Sequence, residues 1–173
     1  WQEPILTDWS TWPGVRFDPA NEWWQVTEQL TRVASAASGG RVMVSMADLG
    51  GHGDVAAHLR TQQALCLDLI DRPEQVDELV RDIARLWCDL YDHLLGTINE
   101  HLEGSASWMK VWAPGRTETI ECDFSCLISP RMFEEHFLEP IRAQARFLDC
   151  SIYHLDGPGA VKHLDALLDL KEI

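Results

Sequence analysis

The sequence predicts an α/β fold with parallel strands, either an open doubly wound sheet or part of a (β/α)8 TIM barrel. Three observations carry that expectation. Short apolar runs are followed by glycine-bearing loops and then by helical segments, and this order recurs along the 173 residues. Such alternation argues for parallel strands joined by helical crossovers. The composition, 46% hydrophobic and 24% charged, suits a packed core. Finally, about three strands are legible, whereas a closed barrel takes ~250 residues. The barrel reading therefore implies a single domain, residues 1–173, forming a central portion of a barrel whose N-terminal and C-terminal parts lie outside the chain. Trp1 at the start, in place of Met, agrees with a piece of a longer chain. An open doubly wound sheet is the other architecture this order allows.

Taken in order, residues 1–22 read as irregular, punctuated by Pro4, Pro13, Gly14 and Pro19. A helix is expected from Asp18-Pro19 to Gly39-Gly40. "RVMVSMA" (41–47) reads as a buried strand ending in the loop "DLGGHGD" (48–54). "VAAHLRTQQALCLDLI" is helical. The next helix is opened by a capping box of Asp71 and Glu74, with Pro73 in the first turn. Its apolar stripe is Val76, Leu79, Val80, Ile83, Leu86, Trp87, Leu90 and Leu94, about seven turns long. "SASWMKVWA" (105–113) reads as a second strand, and "TIECDFSCLI" as extended or looped. Ser129-Pro130 opens a helix running to about Asp149. "SIYHL" is a third strand and "GAVKHLDALLDL" a last helix.

Charge and cysteines narrow the function classes. A net charge of −14 argues against nonspecific binding to nucleic acid or to an anionic membrane surface. No apolar run approaches the ~20 residues of a bilayer span, and no secretory signal is visible at the start. Five cysteines at spacings that match no disulfide scaffold point to reduced thiols and a cytoplasmic location.

In parallel α/β folds, functional groups sit at the C-terminal ends of the strands. That rule selects Asp48, Gly50, Gly51, His52 and Asp54 after the first strand. It selects Trp112, Pro114, Gly115 and Arg116 after the second, with Asp123 and Ser125 further on, and His154, Asp156 and Gly157 after the third. Asp48, His52 and Asp123 are the candidates for catalysis. Gly50, Gly51, Trp112, Arg116, Ser125 and Tyr153 are the candidates for substrate contact. The plainer reading of "DLGGHGD" is a tight turn, with Asp54 stabilised near a helix N-terminus. Side chains alternate along a strand, so His154 and Asp156 project to one side and suit a zinc or similar ion, given a third ligand. A hydrogen bond that merely orders the loop is the alternative. Trp108 and Trp112, alternating with Lys110, suit a flat ligand. His58, His93, His101, His136 and His163 are expected at surfaces or helix ends, and the Cys122-x3-Cys126 pair in the core or a pocket wall.

Four segments in order resemble the uroporphyrinogen decarboxylase (URO-D) superfamily. They are "VMVSMADLGGHGDVAAHL", "DRPEQVDELVRDIARLW", "CDFSCLISPRMFEEHFLEPI" and "YHLDG". The last falls where the family's zinc-dependent corrinoid methyltransferases carry His-x-Cys-Gly, with Asp156 in the place of Cys. The resemblance spans essentially the whole chain and implies the middle of a barrel. It implies metal-assisted methyl transfer with a corrinoid carried by a partner protein, the zinc held by His154 and Asp156. The alternative it implies is decarboxylation of uroporphyrinogen or a related tetrapyrrole, without metal or organic cofactor. There Asp48 or Asp123 would stabilise positive charge on a protonated pyrrole. A noncatalytic barrel that binds a small molecule is a third expectation.

Overall fold

A computed structural model of the chain describes residues 3–99 and 103–173. Trp1 and His101 lie outside the described residues. The fold is mixed α/β, mostly helical with two small sheets. Among the described residues the strands pair two by two and close no barrel. No described helix is long and apolar enough to cross a membrane.

The N-terminal arm is irregular apart from a short 3-10 turn, Trp9–Thr11. Arg60 staples it down, donating to the carbonyls of Leu6 and Thr7 and ion-pairing with buried Asp68 at 2.6 Å. Helix α1 (Glu22–Ser38) starts later than Asp18-Pro19 suggests, because Asn21 is the residue whose side chain accepts the N–H groups of Trp23 and Trp24. It ends at Gly39 in the left-handed region, as the Gly pair predicts.

Residues 41–47 do not form a full strand. One parallel bridge joins Ser45 to Ala106, with Met46 N–H on the Ala106 carbonyl. The helical stretch after the glycine loop is two helices, α2 (His52–Arg60) and α3 (Gln62–Asp71). Thr61 breaks it with φ +84°, and its hydroxyl then caps α3 by accepting from Ala64. Helix α4 (Pro73–Ile98) is the long amphipathic element, capped by Arg72 without a side-chain bond, so the Asp71–Glu74 box does not form. Its buried face is the expected stripe with Tyr91 added, while Leu86 and Leu90 lie half-exposed at its margin.

The predicted single strand at 105–113 is a hairpin. Strand β1 (Ser105–Ala106) pairs antiparallel with β2 (Trp112–Ala113) around a turn in which Lys110 has φ +64°. Strand β3 (Thr117–Glu121) begins two residues before the segment read as extended or looped and runs into it, followed by a 3-10 helix, Asp123–Leu127. Ser129 caps α5 (Pro130–His136) as expected, but the helix is interrupted at Phe137 and resumes as α6 (Leu138–Phe147). Strand β4 (Cys150–His154) runs parallel to β3, with Glu121 opposite His154. A single 3-10 turn leads into α7 (Leu164–Leu168).

Two contacts set where β3 lies. The fully buried Tyr91 hydroxyl accepts the Thr117 N–H at 2.8 Å and meets the Thr117 carbonyl and Ser105 Oγ at 3.0 Å. At the other end, a side chain on Gly51 would sit 2.3 Å from the Glu121 carbonyl oxygen.

Tyr91→Phe removes the phenol hydroxyl from the Thr117 N–H and carbonyl, leaving Ser105 Oγ as their side-chain partner, and is expected to lower stability by about 0.5–1.5 kcal/mol in urea unfolding. Gly51→Ala must displace backbone and is expected to lower it by about 1–3 kcal/mol. Gly96→Ala, on a helical site with nothing within 4 Å of the new carbon, is expected to raise it by about 0.4–1 kcal/mol.

Candidate functional site

The parallel register of β3 and β4 puts two strand ends side by side, with Glu121 and His154 as direct partners. Register partners project to the same side of a sheet. Asp123 follows two residues later, at the start of the 3-10 helix. Glu121, Asp123 and His154 each offer one ligand atom, and these atoms all lie within 4.8 Å of one another. His154 Nδ1 is buried without a hydrogen-bond partner and lies 3.5 Å from Glu121 Oε2. That separation permits a charge interaction but sits at the limit of a hydrogen bond. The indole of Trp108 meets the imidazole edge-on, 5.3 Å between centroids.

Acidity accumulates here. Glu121 is pushed up to about 7 by burial and by the charges of Asp48, Asp54 and Asp123, against the opposing effect of His154. Glu118 is pushed up to about 7 mainly by burial, with Asp48 and Glu121 adding to it and two backbone N–H bonds opposing. It is 3% exposed, and its Oε2 has no hydrogen-bond partner. Asp54 acts on the backbone. Its carboxylate accepts the N–H groups of Asp123 and Phe124, fastening α2 to the turn after β3. Burial raises its pKa.

The residues singled out in the sequence divide sharply. Asp123 and His154 meet at the site. Asp48 is exposed beside it, acting on Glu118 and Glu121 through its charge and accepting the Gly50 N–H at 2.7 Å. Asp156 is outside the ligand group: β4 ends at His154, so strand alternation no longer governs it, and its carbonyl takes the Cys126 thiol at 3.6 Å. His52 turns inward. As the first residue of α2 it is 3% exposed, lies edge-on to Trp87, and burial holds its imidazole down to about 4. The ring thus lies in the core, away from the strand-end group, with its Nε2 buried and without a hydrogen-bond partner. Gly51 packs closely on Glu121, and in the first turn of α2 a side chain on Gly53 would collide with Cys122. Gly50 keeps the positive φ of +74° that the turn requires.

Arg116 precedes β3 and sits at the opposite end of the strand, chelating Asp92 at 2.8 and 2.9 Å over the Phe147 ring. Ser125 is buried, and its carbonyl meets the ring of His163, which lies at a helix end as expected, between the 3-10 turn and α7, and is buried there. Trp112 is half-exposed on β2, paired with Ala106. Tyr153 alternates to the other side of β4 and lines an apolar groove of about 260 Å³ with Leu155, Leu164, Leu167 and Leu168. A larger cavity of about 410 Å³ lies between α4 and the α5–α6 pair, lined by Arg81, Ala84, Cys88, Pro140 and Gln144, and none of the strand-end residues line it.

Glu121 escapes the sequence reading because its segment, 119–128, reads as extended or looped rather than as a defined strand, and Glu118 because it falls just before that segment, in no expected element. "TETIE" alternates and carries β-branched residues, and treated as a strand it marks Glu121 as its last residue. Comparisons with protein-family models, curated proteins and solved structures give no match.

The raised Glu118 carries a sign that can be measured. Its ordinary value is 4.5 and its folded value about 7. Between them the folded chain keeps a proton that the unfolded chain has lost, so stability falls as pH rises through this window. His52 acts oppositely: held at about 4 against 6.5, it raises stability as pH climbs between those values. Urea unfolding of Glu118→Gln and wild type at pH 5 and pH 8 separates the two effects. The variant should gain on wild type at the higher pH, and a pH-independent difference would remove Glu118 as the source.

Proposed function

We propose that the chain is part of a uroporphyrinogen decarboxylase-like (β/α)8 barrel and works in metal-assisted methyl transfer with a corrinoid-carrying partner protein. The observation that supports this reading is the group of Glu121, Asp123 and His154 at the C-terminal ends of two parallel strands. In barrel enzymes that is the catalytic face.

The donors fit a divalent ion. One imidazole and two carboxylates make a borderline-to-hard nitrogen and oxygen set, suited to zinc and leaving room for a substrate ligand. The set contains no thiolate, so it differs from a sulfur-rich zinc site. The buried, unpartnered His154 Nδ1 and the crowded carboxyls are both relieved by a cation. A bound ion supplies Lewis acidity, lowering the pKa of a thiol or water and polarising a bound oxygen.

The chain's own groups do the rest. Glu121 stands next to His154 with its pKa pushed up to about 7 by burial and repulsion, and would give up its proton to hold an ion. Asp123 stands exposed at the rim, where its carboxylate is free to turn toward an ion. Its backbone is fixed by Asp54. Trp108 walls one side of the imidazole. Asp48 adds negative potential from the loop.

Decarboxylation of a tetrapyrrole has less support. Its many carboxylates call for clustered cations, but Arg116 is engaged with Asp92 at the far end of β3 and the strand-end group is acidic. Asp48 or Asp123 remains the residue that would stabilise a protonated pyrrole in that reading. A cytoplasmic setting suits either chemistry.

Metal analysis of the purified protein tests the proposal. Wild type is expected to bind Zn²⁺ or Co²⁺, and His154→Ala and Glu121→Gln to weaken binding by about 10-fold or more. Asp156→Asn should leave it unchanged. Methyl transfer to or from a corrinoid protein should fall in step with metal loss. A protein without metal affinity sinks the reading. Carbon dioxide release from uroporphyrinogen would favour the decarboxylase, and metal binding without turnover would favour a binding module.

A further inference from the structure

We propose that Glu118 is a positioning residue for the strand-end site, holding Trp108 against His154 so that the imidazole keeps its orientation toward a bound cation. The inference rests on the metal reading above. Two contacts link the glutamate to the histidine through Trp108, and a third, to Thr119, holds the carboxylate in place. Its Oε1 accepts the N–H of Thr119 at 2.8 Å and the N–H of Trp108 at 3.1 Å. Trp108 then presents its indole edge-on to the His154 ring, with an interplanar angle of 87°.

The hairpin base is held by Ser105 and by the Ser45–Ala106 bridge, and the Trp108 turn lies beyond these contacts. Strands β1 and β2 are two residues each, so the hairpin has a very short ladder. Its tip is held within itself by Lys110 N–H on the Ser107 carbonyl and Ser107 N–H on the Val111 carbonyl. Lys110 takes φ +64° in this turn, a left-handed conformation that a non-glycine residue adopts at a cost. Met109, Lys110 and Val111 are exposed, so little packing holds these three residues beyond the buried Ser107 and half-buried Trp108. The bond from Trp108 to Glu118 joins it to β3, the strand that carries Glu121.

A carboxylate in this place is costly to bury, and Glu118 has no ion pair among the described residues. What it provides is an acceptor for two backbone N–H groups at once. Removal would leave both short of a partner and free the turn. Partners that orient a ligand-bearing histidine commonly change metal affinity 10–100-fold when mutated. Glutamine keeps the acceptor and the shape, whereas alanine loses both.

The test uses Co²⁺ titration of the protein, followed by visible absorption, together with ¹⁵N NMR of the imidazole of His154 in the metal-free protein. Glu118→Gln should bind Co²⁺ within about 2-fold of wild type, with unchanged bands and ring signals. Glu118→Ala should bind about 10-fold or more weakly, with altered bands and shifted His154 ring signals. Trp108→Leu, which leaves Glu118 in place, should weaken Co²⁺ binding similarly and serves if Glu118→Ala does not fold. Wild-type behaviour of Glu118→Ala, or of Trp108→Leu, overturns the proposal. So does a Glu118→Gln variant as impaired as the alanine variant. Should wild type bind no Co²⁺, the metal reading falls, and the NMR comparison decides alone whether Glu118 positions His154.

Discussion

The hydroxyl of Tyr91 is the junction on which the arrangement of this chain rests. It lies on the buried face of α4 and contacts both backbone groups of Thr117, the first residue of β3. Ser105 Oγ joins the same cluster and also receives the Thr117 N–H, so the start of β3 is tied to a helix and to the hairpin together. Burial pushes the phenol up to about 12, which keeps the hydroxyl protonated and able to donate. A strand advances ~3.3 Å per residue, so fixing Thr117 fixes Glu121 about 13 Å further on. The ring itself stacks on Trp87 and meets Phe147 edge-on, giving the polar junction an apolar housing.

The far end of β3 is held by a different device. Gly51 lies against the Glu121 carbonyl with no room for a side chain, and Asp54 caps the turn that follows. Between them these contacts bring the glycine loop, the end of β3 and the end of β4 to one place. The consequence is electrostatic crowding. Carboxyls that would ionise readily in water are held near neutrality, because burial and mutual repulsion both favour the protonated form. A cation answers this crowding better than a further hydrogen bond, since it stabilises several carboxylates at once.

Much of the fold is legible where local chemistry decides. Ser129 and Pro130 open a helix as their types predict, Gly39 closes one, and the stripe from Val76 to Leu94 becomes the buried face of α4. The strand ending at His154 also lies within a residue of its expected place. The differences share a cause. Thr61 and Phe137 interrupt helices whose apolar pattern continues across the break, so periodicity carries no sign of it. The 105–113 run has strand composition throughout, yet folds back on itself around Lys110. His52 sits in a glycine-rich loop that resembles a ligand cradle, but the helix begins at that residue and turns the ring toward Trp87.

By itself, then, the sequence determined the helical faces, the caps and the placing of His154 at the end of a strand, because each depends on residues a few positions apart. Only the tertiary structure decided which groups stand beside that histidine. Pairing of β3 with β4 joins residues more than thirty positions apart and chooses Glu121, not Asp156, as its neighbour. That choice is a matter of register, which side-chain alternation within one strand leaves open and which the packing of α4 and the glycine loop against β3 settles.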